Sequence, residues 1–97
     1  MLSVVIATYN GEEYIKDQID SILKQISKND EIVVVDDNSI DNTVPILESL
    51  KTSQLRIYQS DSNIGHAQTF NRAIGLASND LILLCDQDDI WLPDKYS

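Results

Sequence analysis

The stretch LSVVIATYNGEEYIKDQIDSILKQI, residues 2–26, decides the fold because it joins a strand pattern directly to a helix pattern. Its first part, LSVVIA (2–7), is a continuous apolar and β-branched run, which predicts a strand covered on both faces. Its second part carries apolar residues at helical spacing: Ile15, Ile19, Ile22, Leu23 and Ile26. We therefore predict a buried strand followed by an amphipathic helix from about Glu12 to Gln25.

The same alternation continues along the chain. The runs EIVVV (31–35), LRIYQ (55–59) and LILLC (81–85) predict three more strands, the middle one less buried than the others. Apolar spacing indicates two intervening helices, one through Val44, Leu47 and Leu50 and the other through Ala67, Phe70, Ile74 and Ala77. Strands that alternate with helices imply right-handed crossovers. The predicted fold class is α/β, a Rossmann-like, mostly parallel sheet of about four strands with flanking helices.

The composition is that of an acidic globular domain. The chain has 97 residues, 42% of them apolar, with 16 acidic against 7 basic side chains and a formal net charge of -9. A nucleic-acid partner is not expected, because phosphate backbones need a basic footprint. A transmembrane segment is not expected either, since no run approaches the roughly 18 apolar residues that a span needs. With Cys85 as the only cysteine and no signal-peptide pattern at the N-terminus, we expect a cytoplasmic protein.

Polar clusters follow three of the four predicted strands. The first strand ends at Thr8-Tyr9-Asn10, the second at Asp36-Asp37, and the fourth at Asp86-Gln87-Asp88. Open parallel sheets bind ligands outside the carboxyl ends of their strands. We therefore expect these three clusters to lie along one edge of the sheet.

The Asp86-Gln87-Asp88 cluster suits a hard divalent cation. Mg²⁺ and Mn²⁺ prefer oxygen ligands, and Mg²⁺ typically combines one or two carboxylates with waters and substrate phosphates. Bare carboxylates would repel a diphosphate, whereas a bound cation reverses that repulsion. The plain alternative is that these acids only end a strand and face water. Acidic clusters at the ends of two strands, on one shared edge, favour a functional site over this alternative.

Four segments together resemble a known family. They are VVIATYNGEEYI (4–15), EIVVVDDNSIDNT (31–43), NIGHAQTFNRAI (63–74) and LILLCDQDDIWLPDK (81–95). In order and spacing they resemble the nucleotide-binding half of family 2 glycosyltransferases of the GT-A fold. The last segment is similar to that of bacterial polysaccharide transferases, including rhamnosyltransferase-like members. The resemblance covers essentially the whole chain.

The resemblance implies site residues. The nucleotide-binding set would be Thr8, Tyr9, Asp36, Asp37 and Asp86, and the metal ligands Asp88 and Asp86. Thr8 and Tyr9 would line the pocket for the base. Asp37 would hydrogen-bond the base, with Asp36 supporting its turn. Asp88 would be the principal ligand of Mg²⁺ or Mn²⁺, with Asp86 near the ribose and the metal.

The resemblance also implies an activity. We expect metal-dependent, inverting transfer of a sugar from a UDP- or dTDP-linked donor to a glycan or lipid-linked acceptor in bacterial cell-surface polysaccharide synthesis. Residues 1–97 would be the donor-binding half, inactive alone, with the general base and the acceptor pocket beyond Ser97. The longer protein would be cytoplasmic, or sit at the inner face of the membrane. One departure is Phe70, which stands before Asn71 where many relatives carry a basic residue, so no phosphate contact is assigned to Arg72.

Three alternatives stay open from the sequence. The acidic pair and the fourth strand resemble a phosphoacceptor receiver domain, which would also bind Mg²⁺ and would be phosphorylated at Asp86. A non-catalytic interaction module would use the acidic edge to contact a basic partner. A dinucleotide-binding oxidoreductase fits less well, because the first turn, ATYNGEEY (7–14), lacks the glycine pattern that brings backbone close to a pyrophosphate.

Overall fold

The computed structural model describes residues 2–50, 52–79 and 81–85, with the side chain of His66 excepted. Its elements follow in order as β1 (Leu2–Thr8), α1 (Ile15–Leu23), β2 (Glu31–Asp36), α2 (Thr43–Ser49), β3 (Leu55–Gln59), α3 (His66–Leu76) and β4 (Leu81–Cys85). The strands form one four-stranded sheet in the order β3-β2-β1-β4, and every neighbouring pair is parallel. The predicted fold class is confirmed.

The register brings the carboxyl ends of the strands to one edge. Thr8 at the end of β1 is paired with Asp36 at the end of β2, and Asp36 is paired in turn with Gln59 of β3. On the other side of β1, Cys85 is paired with Ile6. The loops that follow β1, β2 and β3 therefore leave the sheet side by side. We call this side of the molecule the carboxyl edge.

Two apolar layers cover the sheet. Alternate residues of β1 and β2, such as Ile6 and Val34, pack against α1 and α2 on one face. The residues between them, such as Val5 and Val33, pack with Ala73 of α3 on the other. This explains why β1 is buried along its whole length, as its unbroken apolar run predicts. β3 is only half-buried, as predicted, but it is not less buried than β4: in β4 only Cys85 is in the core, while Leu81 and Leu84 are 62% and 56% exposed.

Two details of the helices differ from the predictions. α1 begins at Ile15 rather than near Glu12, because a turn that begins at Gly11 precedes it; the carbonyl oxygen of Gly11 accepts hydrogen bonds from the amides of Tyr14 (3.1 Å) and Ile15 (2.9 Å). On α3, the buried residues include Thr69 as well as Ala73, whereas Ala67 and Ile74, which belong to the apolar spacing that predicted this helix, are exposed.

The buried threonine explains the error on α3. The Thr69 hydroxyl donates to the carbonyl oxygen of Gly65 at 2.7 Å, so its polar atom is satisfied inside the helix and the residue can face the sheet. A periodicity that counts only apolar residues misses such a position.

Within the described ranges, none of the helices combines the length and the apolar character needed to cross a bilayer.

Candidate functional site

Thr8 and Asp37, both predicted to bind the nucleotide, are in direct backbone contact at the carboxyl edge. The amide of Asp37 donates to the carbonyl oxygen of Thr8 at 2.8 Å, which extends the pairing of β1 and β2 by one bond. The Thr8 side chain is 1% exposed, and its hydroxyl oxygen is buried without a hydrogen-bond partner in the described part of the chain. Tyr9, the next residue, is 39% exposed. The clusters that end β1 and β2 thus lie side by side at this edge, while the predicted third cluster lies outside the described residues.

Asp36 has a different environment from its neighbour. Its side chain is fully buried, and both carboxylate oxygens accept hydrogen bonds from Ser39, one from the hydroxyl at 2.5 Å and one from the amide at 2.7 Å. Between them Asn38 has a φ of 62°, a left-handed conformation that asparagine tolerates better than most residues. Asp36 therefore holds the tight turn after β2 with a buried carboxylate, and its predicted part in nucleotide binding stays a prediction.

Asp37 fastens a third loop to this edge. Its Oδ1 accepts from the amide of Ile64 at 2.7 Å and its Oδ2 from the amide of Gly65 at 3.2 Å. Gly65 has a φ of 92°, which a residue with a side chain rarely adopts, and it immediately precedes α3. A carboxylate offers about four acceptor positions, so these two bonds leave capacity for another donor. Asp37 thus both shapes the loop and keeps a carboxylate at the site.

The loops after β1 and β2 are joined by a row of hydrogen bonds. Three consecutive amides, those of Asn10, Gly11 and Glu12, donate to Ser39 Oγ (2.8 Å), Thr43 Oγ1 (2.7 Å) and Asp41 Oδ2 (3.2 Å) respectively. In return, the Asn10 side-chain oxygen accepts from the amide of Ile40 at 3.0 Å. We call these bonds between residues 10–12 and 39–43 the two-loop latch.

The two-loop latch has a chemical consequence. In dinucleotide-binding folds, amides of the turn after the first strand approach the pyrophosphate. In this chain the amides of residues 10–12 are occupied by oxygens of the neighbouring loop. They are therefore not available to a diphosphate, whose charge would need another positive group.

Asp41 is the acidic member of the two-loop latch. Its Oδ1 accepts from both the hydroxyl (2.5 Å) and the amide (3.0 Å) of Thr43, the first residue of α2. Burial alone would raise the pKa of Asp41, but the hydrogen bonds from Thr43 and from the amide of Glu12 outweigh it and hold the pKa below its ordinary value. The carboxylate is thus kept ionised where it fastens both loops.

Arg72 and Gln18 make two further side-chain contacts near the carboxyl edge. Arg72 of α3 donates to the hydroxyl of Ser60 at 2.9 Å, and the amide of Ser60 donates to the carbonyl oxygen of Asp36 at 2.8 Å. Arg72 therefore lies over the end of β3. On the other side, buried Gln18 of α1 donates to the Cys85 sulfur at 3.3 Å, at the last residue of β4.

The predicted metal ligands follow directly after β4. Asp86 and Asp88 lie outside the described residues, so their predicted roles remain predictions. Among residues 2–50, 52–79 and 81–85, no group of three or more His, Cys, Asp or Glu side chains is arranged to hold a metal ion. Within that part, Asp36 and Asp37 are already committed to Ser39 and to the loop before α3.

Sequence reasoning missed Ser39 and Thr43 as members of the site. Serine and threonine in a polar turn are expected to bond their own backbone. Their actual partners include the amides of Asn10 and Gly11, about 30 residues earlier in the chain. Only the parallel pairing of β1 with β2 brings the two loops together, and no local pattern specifies which turn oxygens face which amides.

Comparison with known proteins identifies the family. Residues 3–97 match the family model described as glycosyl transferase family 2. RfbG of Shigella flexneri, named a dTDP-rhamnosyl transferase, is 41% identical over 96 residues, which cover 92% of this chain and 33% of RfbG. WfaP of Escherichia coli, named UDP-Glc:alpha-D-GlcNAc-diphosphoundecaprenol beta-1,3-glucosyltransferase, is 34% identical over 97 residues, covering all of this chain and 39% of WfaP. The chain thus spans little more than a third of the length of these relatives.

Solved structures agree with the sequence comparison. S. aureus TarS 1-349 superposes with a TM-score of 0.84 and 36% identity over 91% of this chain and 27% of TarS, and it has also been solved with UDP and with UDP-GlcNAc. The mannosyltransferase PcManGT from Pyrobaculum calidifontis, solved with GDP-Man and Mn²⁺, superposes with a TM-score of 0.86 and 27% identity over 93% of this chain and 28% of PcManGT. The resemblance drawn from the four sequence segments is confirmed, and the chain belongs to glycosyl transferase family 2.

Proposed function

We propose that this chain is the donor-binding part of a metal-dependent glycosyltransferase. The enzyme would transfer a sugar from a UDP- or dTDP-linked donor to a glycan or lipid-linked acceptor in bacterial cell-surface polysaccharide synthesis, on the cytoplasmic side. The observation that carries the proposal is the meeting of Thr8, Tyr9 and Asp37 at the carboxyl edge, where open parallel sheets bind ligands. Family membership argues against the receiver and oxidoreductase alternatives.

The base would be held by Asp37 with Thr8 and Tyr9 beside it. A carboxylate is an acceptor only, so it pairs with a base that presents an N–H group at its pairing edge. Uracil and thymine do so through the imide N3–H, in agreement with UDP or dTDP as the nucleotide of the donor. The relatives' names are compatible with both, since WfaP is named for UDP-Glc and RfbG for dTDP-rhamnose.

The diphosphate would be neutralised by a divalent cation. With the amides of residues 10–12 occupied in the two-loop latch, a positive group other than this turn must face the phosphates. Asp88, with Asp86, would hold Mg²⁺ or Mn²⁺ directly after β4. Such an ion supplies charge stabilisation for the departing diphosphate. The neighbour PcManGT was solved with Mn²⁺, which supports this choice of ion.

These assignments place donor binding in this chain and acceptor binding elsewhere in the protein. Residues of this chain would bind and orient the donor, while the acceptor pocket and the general base of an inverting transfer would be supplied by a later part of the protein. Residues 1–97 alone would then bind a nucleotide without transferring its sugar.

Calorimetry on the purified protein tests the metal assignment. UDP and dTDP are titrated with and without Mn²⁺, for the wild type, Asp88→Ala and Asp61→Ala. Asp61 is an exposed acid of the loop after β3, so its replacement removes one negative charge away from β4. We expect Mn²⁺ to tighten nucleotide binding in the wild type and in Asp61→Ala, and to have no effect in Asp88→Ala. Equal Mn²⁺ dependence in all three would refute the assignment.

A modified nucleotide tests the role of Asp37 separately. Substituting Asp37 alone is ambiguous, because it also releases the Ile64 and Gly65 amides. UDP methylated at uracil N3 instead removes the donor from the ligand. A hydrogen bond to a charged acceptor contributes about 1.5–3 kcal/mol, so the wild type should bind this analogue roughly 10- to 100-fold more weakly than UDP. Asp37→Ala should bind UDP and the methylated analogue with equal affinity. If the methyl group weakens binding equally in the wild type and in Asp37→Ala, it clashes with a group other than the Asp37 carboxylate, and the assignment fails.

A further inference from the structure

The turns that carry Tyr9 and Asp37 are coupled through one hydroxyl group. Ser39 donates its hydroxyl proton to Asp36 Oδ1 at 2.5 Å and accepts the amide proton of Asn10 at 2.8 Å. Asp36 is fully buried and directly precedes Asp37, while Asn10 directly follows Tyr9. The hydroxyl therefore connects a fixed point in the sheet to the turn that bears the exposed tyrosine.

The turn after β1 contains a residue in the left-handed region that is held by contacts from the neighbouring loop. Asn10 has a φ of 51°, in the left-handed region, and its side-chain oxygen accepts the amide proton of Ile40 at 3.0 Å. Non-glycine residues adopt this region at a cost and persist there when surrounding contacts hold them. The contacts that hold Asn10 come from Ser39 and Ile40, both in the loop after β2.

We propose that Ser39 and Asn10 are positioning residues that fix the distance between Tyr9 and Asp37, and so the width of the base site. The inference rests on the proposed function, since it assumes that the base lies between these two side chains. The bonds of Asn10 to the neighbouring loop are exposed to solvent, and exposed hydrogen bonds contribute little to stability. Their main effect is then on geometry. In metal sites, removing a residue that orients a ligand typically costs roughly 10- to 100-fold in affinity or activity, and we expect the lower end of that range for this site.

The chain contains a matched control at the opposite edge of the sheet. Ser3 near the start of β1 donates its hydroxyl proton to Glu31 Oε2 at 2.6 Å and accepts the amide proton of Asn79 at 3.1 Å. Ser3 thus makes the same two kinds of bond as Ser39, to a carboxylate and to a backbone amide, at the opposite end of β1 from the turn that contains Asn10. Ser3→Ala removes equivalent interactions without touching the carboxyl edge.

The test is the affinity of the purified protein for UDP, measured by calorimetry with Mn²⁺ at a temperature where every variant is folded. Ser39→Ala should weaken binding about tenfold, while Ser39→Thr, which keeps the hydroxyl, and Ser3→Ala should stay within about twofold of the wild type. Ser39→Ala within twofold of the wild type, or a matching loss in Ser3→Ala, would overturn the inference.

A second variant covers failure of Ser39→Ala to fold. Asn10→Gly keeps the positive φ available and removes only the bond to Ile40, so it should remain folded and weaken UDP binding several-fold; unchanged affinity in this variant would also overturn the inference. The outcome for the proposed function is separate. A wild-type protein that binds neither UDP nor dTDP overturns both, whereas wild-type binding with an unaffected Ser39→Ala overturns the positioning role alone.

Discussion

Removing the carboxylate of Asp37 should loosen the loop before α3 and lower the stability of the whole domain. Asp37 is 7% exposed, and its two oxygens hold the amides of Ile64 at 2.7 Å and Gly65 at 3.2 Å. The first bond is short and charged, which corresponds to about 1.5–3 kcal/mol of stability. The second is longer and belongs to an exposed glycine whose amide water can solvate, so it adds little. Asp37→Ala should therefore cost about 2 kcal/mol in the free energy of unfolding.

Thermal and urea unfolding measure this loss. For a domain of this size, about 2 kcal/mol corresponds to a fall in Tm of roughly 8–16 °C. Asp61→Ala, which removes the same charge from an exposed position, should shift Tm by only a degree or two. Asp37→Asn keeps one acceptor oxygen and should fall between them. Hydrogen exchange adds a local measurement, since the Ile64 amide should exchange faster in Asp37→Ala. A Tm for Asp37→Ala equal to that of Asp61→Ala, with the Ile64 amide still protected, would refute this reasoning.

Two further predictions concern the pH dependence of stability and the replacement of two glycines by alanine. Burial alone would raise the pKa of Asp30, but hydrogen bonds from the Ser27 amide, the amide at the start of β1 and the Ser27 hydroxyl hold it below its ordinary value. The Asp30 carboxylate therefore contributes its full stabilisation above the unfolded-state pKa of about 4, and this contribution is lost as the pH falls through the lower pKa of the folded state. In that pH range the free energy of unfolding, measured in urea, should depend on pH less steeply in Asp30→Asn than in the wild type. A Cβ on Gly11 would lie 3.1 Å from a ring carbon of Tyr14, whereas one on Gly75 in α3 meets nothing within 4 Å. Urea unfolding should thus show Gly11→Ala destabilised by about 1–3 kcal/mol and Gly75→Ala stabilised by about 0.5–1 kcal/mol, and changes of the same sign would contradict this packing.

The strands were predictable because each is a short run of apolar and β-branched residues, although only β1 and β2 are buried along most of their length. LRIYQ and LILLC match β3 and β4 residue for residue, and the unbroken run from Leu2 belongs to a strand buried on both faces. Alternation with helices was enough to predict the parallel sheet, and hence the shared edge for Thr8 and Asp37. These features depend on the local pattern of apolar residues and on the general rules for connecting strands and helices.

The contacts within the site could not be predicted in the same way. Asp37 was expected to face a ligand, and the structure adds that it holds the loop before α3 through Ile64 and Gly65. Local sequence rules predict only that the Ser39 hydroxyl bonds to the backbone of its own turn. In the structure it also accepts the amide proton of Asn10. Such pairings depend on how two loops face each other after the strands have paired, and before then any of several side-chain oxygens in the polar turn could accept a given amide.

We propose that acids at the carboxyl edge hold a cation, and that this cation binds the diphosphate of a sugar donor whose base lies at Thr8 and Asp37. A crystal structure of the protein with UDP and Mn²⁺, using the anomalous scattering of manganese, would locate both the ion and the base. An anomalous peak is expected between the Asp88 carboxylate and the diphosphate, with the uracil beside Asp37. A manganese peak remote from Asp88, or a nucleotide bound away from the ends of β1 and β2, would rule out this arrangement.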